Sequence, residues 1–417
     1  MTDRLYYLDP YLREFDATVS RVDRRDDRVL ITLDRTAFYP TSGGQPFDTG
    51  RLGSMRVVDV VDEEDGSIAH VVEPRTPNPE PGTNPAPGTL NPEPGTSVHG
   101  EIDWTRRFDH MQQHSGQHVL SAAFDKLFGV RTVSFHLGAA VSTIDLAREM
   151  SEAEIAAAET EANRIVWEDR PVTIRFADAE EAARLPLRKE SVRGGTLRLI
   201  DVEGFDLSAC GGTHVARTGG IGLIAVASWE RFKGGQRLEF LCGGRALGGY
   251  RRFRDAMSAS VRLLSVLPAE LAGAIERLQA DARDQKRAMT GLQSELARYR
   301  AEELAANAEE ITLKSGNADA RRCLLVARAQ DADANGLKSL AAAITAKPGF
   351  LVVLVSASTP ALVVIARSSD VDVSAQQLLA KLMAQFGGRG GGRPEMSQGG
   401  GLSATSNAII DAVRTYI

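Results

Sequence analysis

The chain has 417 residues, 43% of them apolar and 25% charged, with a formal net charge of −6. That is ordinary globular composition, enough for roughly two to four domains, and it excludes a disordered chain. An acidic balance also excludes a protein coated with nucleic acid over its whole surface, while leaving room for a local basic face. No apolar run reaches the ~18–20 residues of a membrane span, and the first residues lack a signal-peptide pattern. Three cysteines, Cys210, Cys242 and Cys323, cannot form a disulfide framework in a chain this long. The expectation is a soluble, cytoplasmic protein with no membrane partner.

Residues 1–73 alternate apolar and polar residues in short bursts, such as Val29–Leu33, Arg56–Val61 and Ser67–Val72, with turn residues between them. They predict a small β domain, barrel or sandwich. Pro74–Gly100 repeats Asn-Pro-Glu-Pro-Gly-Thr and holds eight of the 17 prolines. Proline removes ladder donors, so an extended, solvated loop without chemistry is expected there. Beyond it, Val119, Leu120, Ala123, Phe124, Leu127 and Phe128 recur at helical spacing, with Gly129 placed as a C-cap. Ser151–Glu154 reads as a capping box ahead of Ile155, Ala158, Ala162 and Ile165. Strand-like stretches at 172–176, 196–202, 221–227 and 237–241 suggest an antiparallel sheet with helices packed on one side.

From Leu271 the pattern changes to a heptad seam: Leu271, Ile275, Leu278, Ala282, Gln285, Met289, Leu292, Leu296 and Tyr299. A long helix with a partner is the natural reading. The last hundred residues restart as α/β, with a glycine-rich segment from Gly387 to Gly401. The fold class is therefore α+β multidomain. The expected domains are a β-barrel-like domain over 1–100, an α+β domain over 101–250, a long helix or coiled coil over 251–312, and a C-terminal α/β domain over 313–417.

Among seven histidines, His110, His114 and His118 stand four apart, one above another on a helical face. Two imidazoles so placed can bind a metal, although the pattern alone is weak. No Glu lies between them, so the zinc-protease version is absent. Cys210-Gly211-Gly212-Thr213-His214 adds a thiolate and an imidazole four apart, with glycines that free the backbone to bring both to one ion. A Cys/His₃ set is soft enough for Zn²⁺ and suits tetrahedral geometry. The bland alternative is a small buried cysteine and a strand-end histidine. Cys242 and Cys323 carry only that bland reading.

His114-Ser115-Gly116-Gln117-His118-Val119-Leu120 and Cys210-Gly211-Gly212-Thr213-His214-Val215 resemble the paired zinc motifs of alanyl-tRNA synthetase editing domains and their free-standing AlaX relatives. Thr36–Pro46, with Gly43, Gly44 and Gln45, is similar to the family's glycine-rich signature. Gly390–Met396 resembles the C-terminal domain that these synthetases share with DHH phosphoesterases. Two departures are visible: Thr41 or Ser42 stands where the signature usually has an acidic residue, and Ser115 replaces a common threonine.

The resemblance implies an alanyl-tRNA editing protein of the long AlaX form, without the aminoacylation domain and its activation chemistry. Its expected activity is hydrolysis of the ester in mischarged alanine tRNA, Ser-tRNA and in addition Gly-tRNA, with the preference between them left open. The cofactor would be one zinc ion per chain, on His114, His118, Cys210 and His214. His110 falls outside the family's ligand positions and reads as a packing or tRNA-facing residue. The pocket would follow the zinc helix, at Thr132, Ser134 and His136. Contacts to tRNA would come from Arg106, Arg107, Arg188, Lys189, Arg231 and Lys233, and from Arg389, Gly390, Gly391 and Arg393 in a glycine loop. A homodimer could form through the heptad helix or the C-terminal domain. Four protein ligands fill a tetrahedral shell, so either one of them gives way to water, or the ion expands to five ligands, or zinc only holds the pocket together and anchors the substrate. Two other readings stand beside the hydrolase: a non-catalytic tRNA-binding protein with a structural zinc, and a metallohydrolase of small esters.

Overall fold

A computed structural model describes residues 1–25, 28–73, 93–188, 195–313 and 322–417. The chain folds into two compact units, Met1–Ser260 and Val261–Ile417. Among the described residues no single helix is long and apolar enough to cross a membrane.

The first unit contains a closed six-stranded barrel. Its strands are Glu14–Arg25 (β1), Arg28–Leu33 (β2), Gly50–Leu52 (β3), Met55–Asp62 (β4), Ile68–Glu73 (β5) and Ser97–Ile102 (β6). They close in the order β1-β2-β5-β4-β3-β6, with every neighbour antiparallel. Alternation drives this: Phe15, Ala17 and Val19 are buried while Glu14, Asp16 and Thr18 between them are exposed. Ile31, Leu33, Phe38, Leu52, Val57 and Ile68 fill the interior. The loop expected up to Gly100 ends sooner. Ser97–Ile102 alternates exposed and buried residues and is the strand that closes the barrel between β1 and β3. Residues 74–92, which hold the proline repeat except its last four residues, lie outside the described residues.

A long helix, Trp104–Phe128 (α1), follows directly. Asp103 caps it by accepting from the Arg106 amide, and Gly129 ends it at φ 63°. Then come Thr132–Leu137 (β7), Ser142–Leu146 (β8), Glu152–Trp167 (α2), Val172–Ala177 (β9), Leu197–Val202 (β10), Asp206–Ala209 (β11), Ile224–Phe232 (β12) and Gly235–Cys242 (β13). The strands form two antiparallel sheets, β12-β13-β8-β7 and β9-β10-β11, rather than one. Both capping-box hydrogen bonds at Ser151 and Glu154 are present. The apolar faces of α1 (Val119, Leu120, Ala123, Phe124) and α2 (Ile155, Ala158, Ala162, Ile165) share one core with Leu238 and Phe240. The strand expected from 221 starts at Ile224, because Thr218–Ile221 is a 3₁₀ turn.

The second unit holds a 36-residue helix, Leu271–Ala306 (α3), and a six-stranded sheet. The sheet elements are Glu309–Thr312 (β14), Arg322–Gln330 (β15), Phe350–Ser356 (β16), Ala361–Arg367 (β17), Arg389–Gly392 (β18) and Met396–Leu402 (β19), in the order β14-β15-β16-β17-β19-β18. Only β15 and β16 run parallel. Successive residues of β16 serve opposite faces: Leu351, Val353 and Val355 in one core, Val352 and Leu354 in the other. Along α3, Ala297 and Ala301 are buried in that second core, whereas the seam residues Ile275, Leu278, Met289, Leu292, Leu296 and Tyr299 are exposed.

Candidate metal centre and cleft

The spacing of four on α1 stacks His114 and His118 on one face, and both are buried. Cys210 follows β11, and the Cys210–His214 loop folds back over the helix. Gly212 makes this possible: a Cβ there would lie 2.1 Å from His114 Cε1, closer than any side chain tolerates. One ligand atom from each of His114, His118, Cys210 and His214 falls within 4.8 Å of the others. Cys210 Sγ is 3.4 Å from His114 Nε2 and 3.3 Å from His214 Nε2. A tetrahedral zinc with Zn–S near 2.3 Å and Zn–N near 2.0–2.1 Å would set sulfur and nitrogen about 3.5 Å apart. The donor set and its spacing fit that ion.

The other nitrogen of each imidazole already has a partner. His114 Nδ1 meets Gln45 Oε1 at 2.8 Å, His118 Nδ1 meets Asp206 Oδ2 at 2.9 Å, and His214 Nδ1 meets Ser115 Oγ at 3.2 Å. This is the outer shell that orients metal-binding histidines. Arg188 in turn holds Asp206 through Nε at 2.6 Å. Electrostatics run the same way. Burial opposes the Cys210 thiolate, but the charges of His114 and His214 outweigh it and hold the thiol well below its ordinary range. Burial, then the charge of His114, pushes His214 down to about 3. His118 moves up to about 9: burial opposes, and the hydrogen bonds to Asp206 and Cys210 win. At neutral pH the thiolate faces a neutral His214 and a protonated His118, and a bound soft cation would displace the proton from His118.

The centre lies in the wall of a cleft of about 380 Å³. Thr132 and Ser134 of β7 line it, as do Gln117, Phe135, Arg188 and Arg198; His136, exposed on the same strand, does not. Thr132 Oγ1 donates to Ser121 Oγ at 2.8 Å, and Ser134 Oγ donates to Asp145 Oδ2 at 3.0 Å. Arg198 clamps the metal loop, donating through Nη1 to the carbonyls of Cys210 (2.7 Å) and Gly212 (2.9 Å).

Residues 322–417 match the DHHA1 domain family, and residues 197–239 match the threonyl and alanyl tRNA synthetase second additional domain. Over 407 residues the chain is 30% identical to the alanyl-tRNA editing protein AlaX-L of Pyrococcus horikoshii, covering 96% of this chain and 94% of that one. The chain belongs to the alanyl-tRNA editing protein family. It is also 32% identical to the alanine–tRNA ligase of Pyrococcus abyssi over 412 residues, 95% of this chain, and spans 42% of the ligase. The corresponding ligase of Natronomonas pharaonis is 34% identical over 429 residues, 99% of this chain and 43% of the ligase.

Within this family member, the residues expected to contact tRNA differ in how far they reach solvent. Arg107 is fully buried. Its Nη2 lies 2.5 Å from Asp48 Oδ2, and it also donates to the carbonyls of Pro10 and Ala37, so it ties α1 to the barrel and meets no solvent. Arg106 donates to the Phe47 carbonyl at 2.9 Å. Arg188 is committed to Asp206, and Arg231 is exposed and paired with Glu149. Lys189 lies outside the described residues. His110 is buried, with Nδ1 unpartnered, and is not among the four clustered ligands. Cys242 and Cys323 are buried, as read from the sequence. The glycine loop at Gly390 and Gly391 is an edge strand: Arg389, Gly390, Gly391 and Gly392 pair with Gly400, Gly399, Gln398 and Ser397, which spends part of its backbone on the ladder.

Asp206, Ser121 and Arg198 escaped the sequence reading. For Asp206 a signal existed. Asp206, Ser208 and Cys210 alternate, and period two puts them on one strand face, with Asp206 and Ser208 buried.

Proposed function

We propose that the protein is a trans-acting aminoacyl-tRNA deacylase that hydrolyses the ester of mischarged alanine tRNA, Ser-tRNA first and Gly-tRNA second. The site is the cleft beside a zinc ion held by His114, His118, Cys210 and His214. The observation that carries the reading is the convergence of these four donors within 4.8 Å, each imidazole having its other nitrogen already bonded, at the wall of a cleft. A zinc ion there would supply Lewis-acid polarisation of the ester carbonyl once one of the four ligands gave way or the ion took a fifth.

The chain's own residues supply selectivity. Thr132 has its proton committed to Ser121, so its oxygen can only accept a further hydrogen bond. A serine hydroxyl can donate to it; an alanine methyl cannot. Alanine is intermediate in size between glycine and serine, so a size sieve alone would not spare it. Apolar contact discriminates by only about 1–3 kcal/mol per methylene, and a hydroxyl reader can do far better. Thr132→Val should therefore lower kcat/KM for Ser-tRNA more than tenfold and for Gly-tRNA much less. Ser134 has its proton likewise placed on Asp145 and serves as the second acceptor.

Arg389, Gly390, Gly391 and Arg393 would contact tRNA from the second unit, and the exposed seam of α3 supports pairing with a second copy. The test is incubation of the purified protein with Ser-, Gly- and Ala-charged forms of one alanine tRNA. Cleavage of the first two with Ala-tRNA spared is expected. Binding of tRNA and zinc without any deacylation would establish the non-catalytic alternative, and equal action on short esters the general metallohydrolase.

A further inference from the structure

Gln45 sits in the barrel part of the first unit, yet all its side-chain hydrogen bonds go to the metal motifs. The turn that delivers it is tight: Ser42 and Gln45 exchange backbone hydrogen bonds in both directions (3.2 and 2.9 Å), around Gly43 at φ 54° and Gly44 at φ 83°. Those are left-handed conformations that glycine adopts without strain. The same turn grips the cleft wall, since the Gly44 carbonyl accepts from the Leu137 amide of β7 at 3.2 Å.

The Gln45 amide is fully buried, and its orientation is fixed by a group that has no choice of role. The Thr213 backbone N–H can only donate, and it lies 3.1 Å from Oε1. The Nε2 end then donates to Thr213 Oγ1 at 2.8 Å. With Oε1 so placed, the His114 Nδ1 at 2.8 Å must carry the proton. The proton on Nδ1 leaves the Nε2 lone pair of His114 directed at the cluster with Cys210 and His214.

We propose that Gln45 is a positioning residue of the metal centre: it fixes the His114 tautomer and ties the Cys210–His214 loop to α1, so the barrel turn is a working part of the site. The role of the glycines follows. They bring one buried amide between a helix-borne histidine and a loop-borne amide, across 69 and 168 residues of sequence. This rests on the reading of the four-residue cluster as a zinc site, and its test needs no tRNA.

The experiment uses the full chain and three proteins: unsubstituted, Gln45→Met and Gln45→Glu. Zinc affinity is measured by competition with a chromophoric chelator, and the His114 tautomer by ¹⁵N NMR of the imidazole in metal-free protein. Gln45→Met, similar in length but without an acceptor, should bind zinc about 10–100-fold more weakly. Gln45→Glu keeps the acceptor and should retain affinity within a few-fold. The unsubstituted protein should show the Nδ1–H form of His114, a result independent of how either variant folds. Equal zinc affinity in the Met variant, or an Nε2–H tautomer in the unsubstituted protein, overturns the proposal. An unsubstituted protein that binds no zinc at all overturns instead the zinc reading beneath it.

Discussion

The Ser42–Gln45 turn and the Arg389–Gly392 strand are both rich in glycine, and they use it oppositely. In the turn, glycines at positive φ deliver a buried amide whose three hydrogen bonds all reach metal-motif residues. Along the strand all four residues are exposed, and glycine leaves the outer edge of a sheet open. Glycine gives backbone freedom in both; what it serves is set by the polar residue it carries, a sealed Gln45 in one case and solvated Arg389 and Arg393 in the other. Change at the first should therefore propagate through metal and fold, and change at the second should stay local.

The largest effect is expected at the ligands. Cys210→Ala removes the thiolate from a site that joins α1 to the loop after β11. Binding free energies of structural zinc sites run to about 10–16 kcal/mol, so losing one ligand should abolish stoichiometric zinc and lower thermal stability together. Metal analysis and calorimetry on the same sample check this. A Cys210→Ala protein with a full equivalent of tightly held zinc and full deacylation would remove Cys210 from the site.

Next comes the buried pair that joins barrel and helix near the turn. Asp48→Ala would leave the Arg107 guanidinium without its charge partner in a fully buried place. Breaking such a pair costs about 3–5 kcal/mol, read as a lowered denaturant midpoint. A change below about 1 kcal/mol would show that the Pro10 and Ala37 carbonyls suffice to hold Arg107. Zinc affinity measured in parallel tells whether this lock also sets the Gln45 turn.

What could be read ahead of the structure divides along the same line. The helical spacing of His114 and His118, the Cys210–His214 pair and the apolar faces of α1 and α2 are local periodicities, and the sequence displays them directly. The closing strand Ser97–Ile102 was hidden because proline dominates the stretch before it, although its own alternation is clean. Arg107 next to Arg106 reads as a basic patch; only the tertiary placement of Asp48 turns it inward. Gln45 could be picked out with its glycines, but its partners lie 69 and 168 residues away, beyond any spacing rule. Asp206 was legible in principle, by period two with Cys210.

A smaller effect separates burial from metal binding. His70 is sealed in the barrel, where its Nε2 meets Thr36 Oγ1 at 2.8 Å and its Nδ1 the Ile31 carbonyl at 2.8 Å. Burial pushes it down to about 4 from an ordinary 6.5. The folded state therefore holds the neutral ring, and the unfolded state takes up a proton first as pH falls. The contribution is complete above pH 6.5 and is lost between 6.5 and about 4, at up to ~1.4 kcal/mol per pH unit. Against His70→Gln, the unsubstituted protein should lose stability more steeply over that window in urea titrations. Parallel curves for the two proteins would show that His70 is protonated in the fold.

The smallest effect belongs to the open edge. Arg389 and Arg393 are exposed, and neither has an acidic partner among the described residues, so both guanidiniums are free for phosphate. Phosphate contacts position a nucleic acid without reading its bases, so their loss weakens binding about evenly across tRNA species. Each contact removed should reduce the slope of log affinity against log salt by about one. The double change Arg389→Ala with Arg393→Ala should therefore raise KM several-fold and flatten the salt dependence, with kcat much less altered, because binding common to ground and transition states is what is lost. Zinc content should be unchanged, and stability should move by no more than about 0.5 kcal/mol, the usual range for a solvated surface position. An unaltered salt slope would move the tRNA contact off this edge. A fall in kcat with KM unchanged would mean that the second unit acts on the reacting end of the substrate, and the contrast between the sealed turn and the open strand would no longer hold.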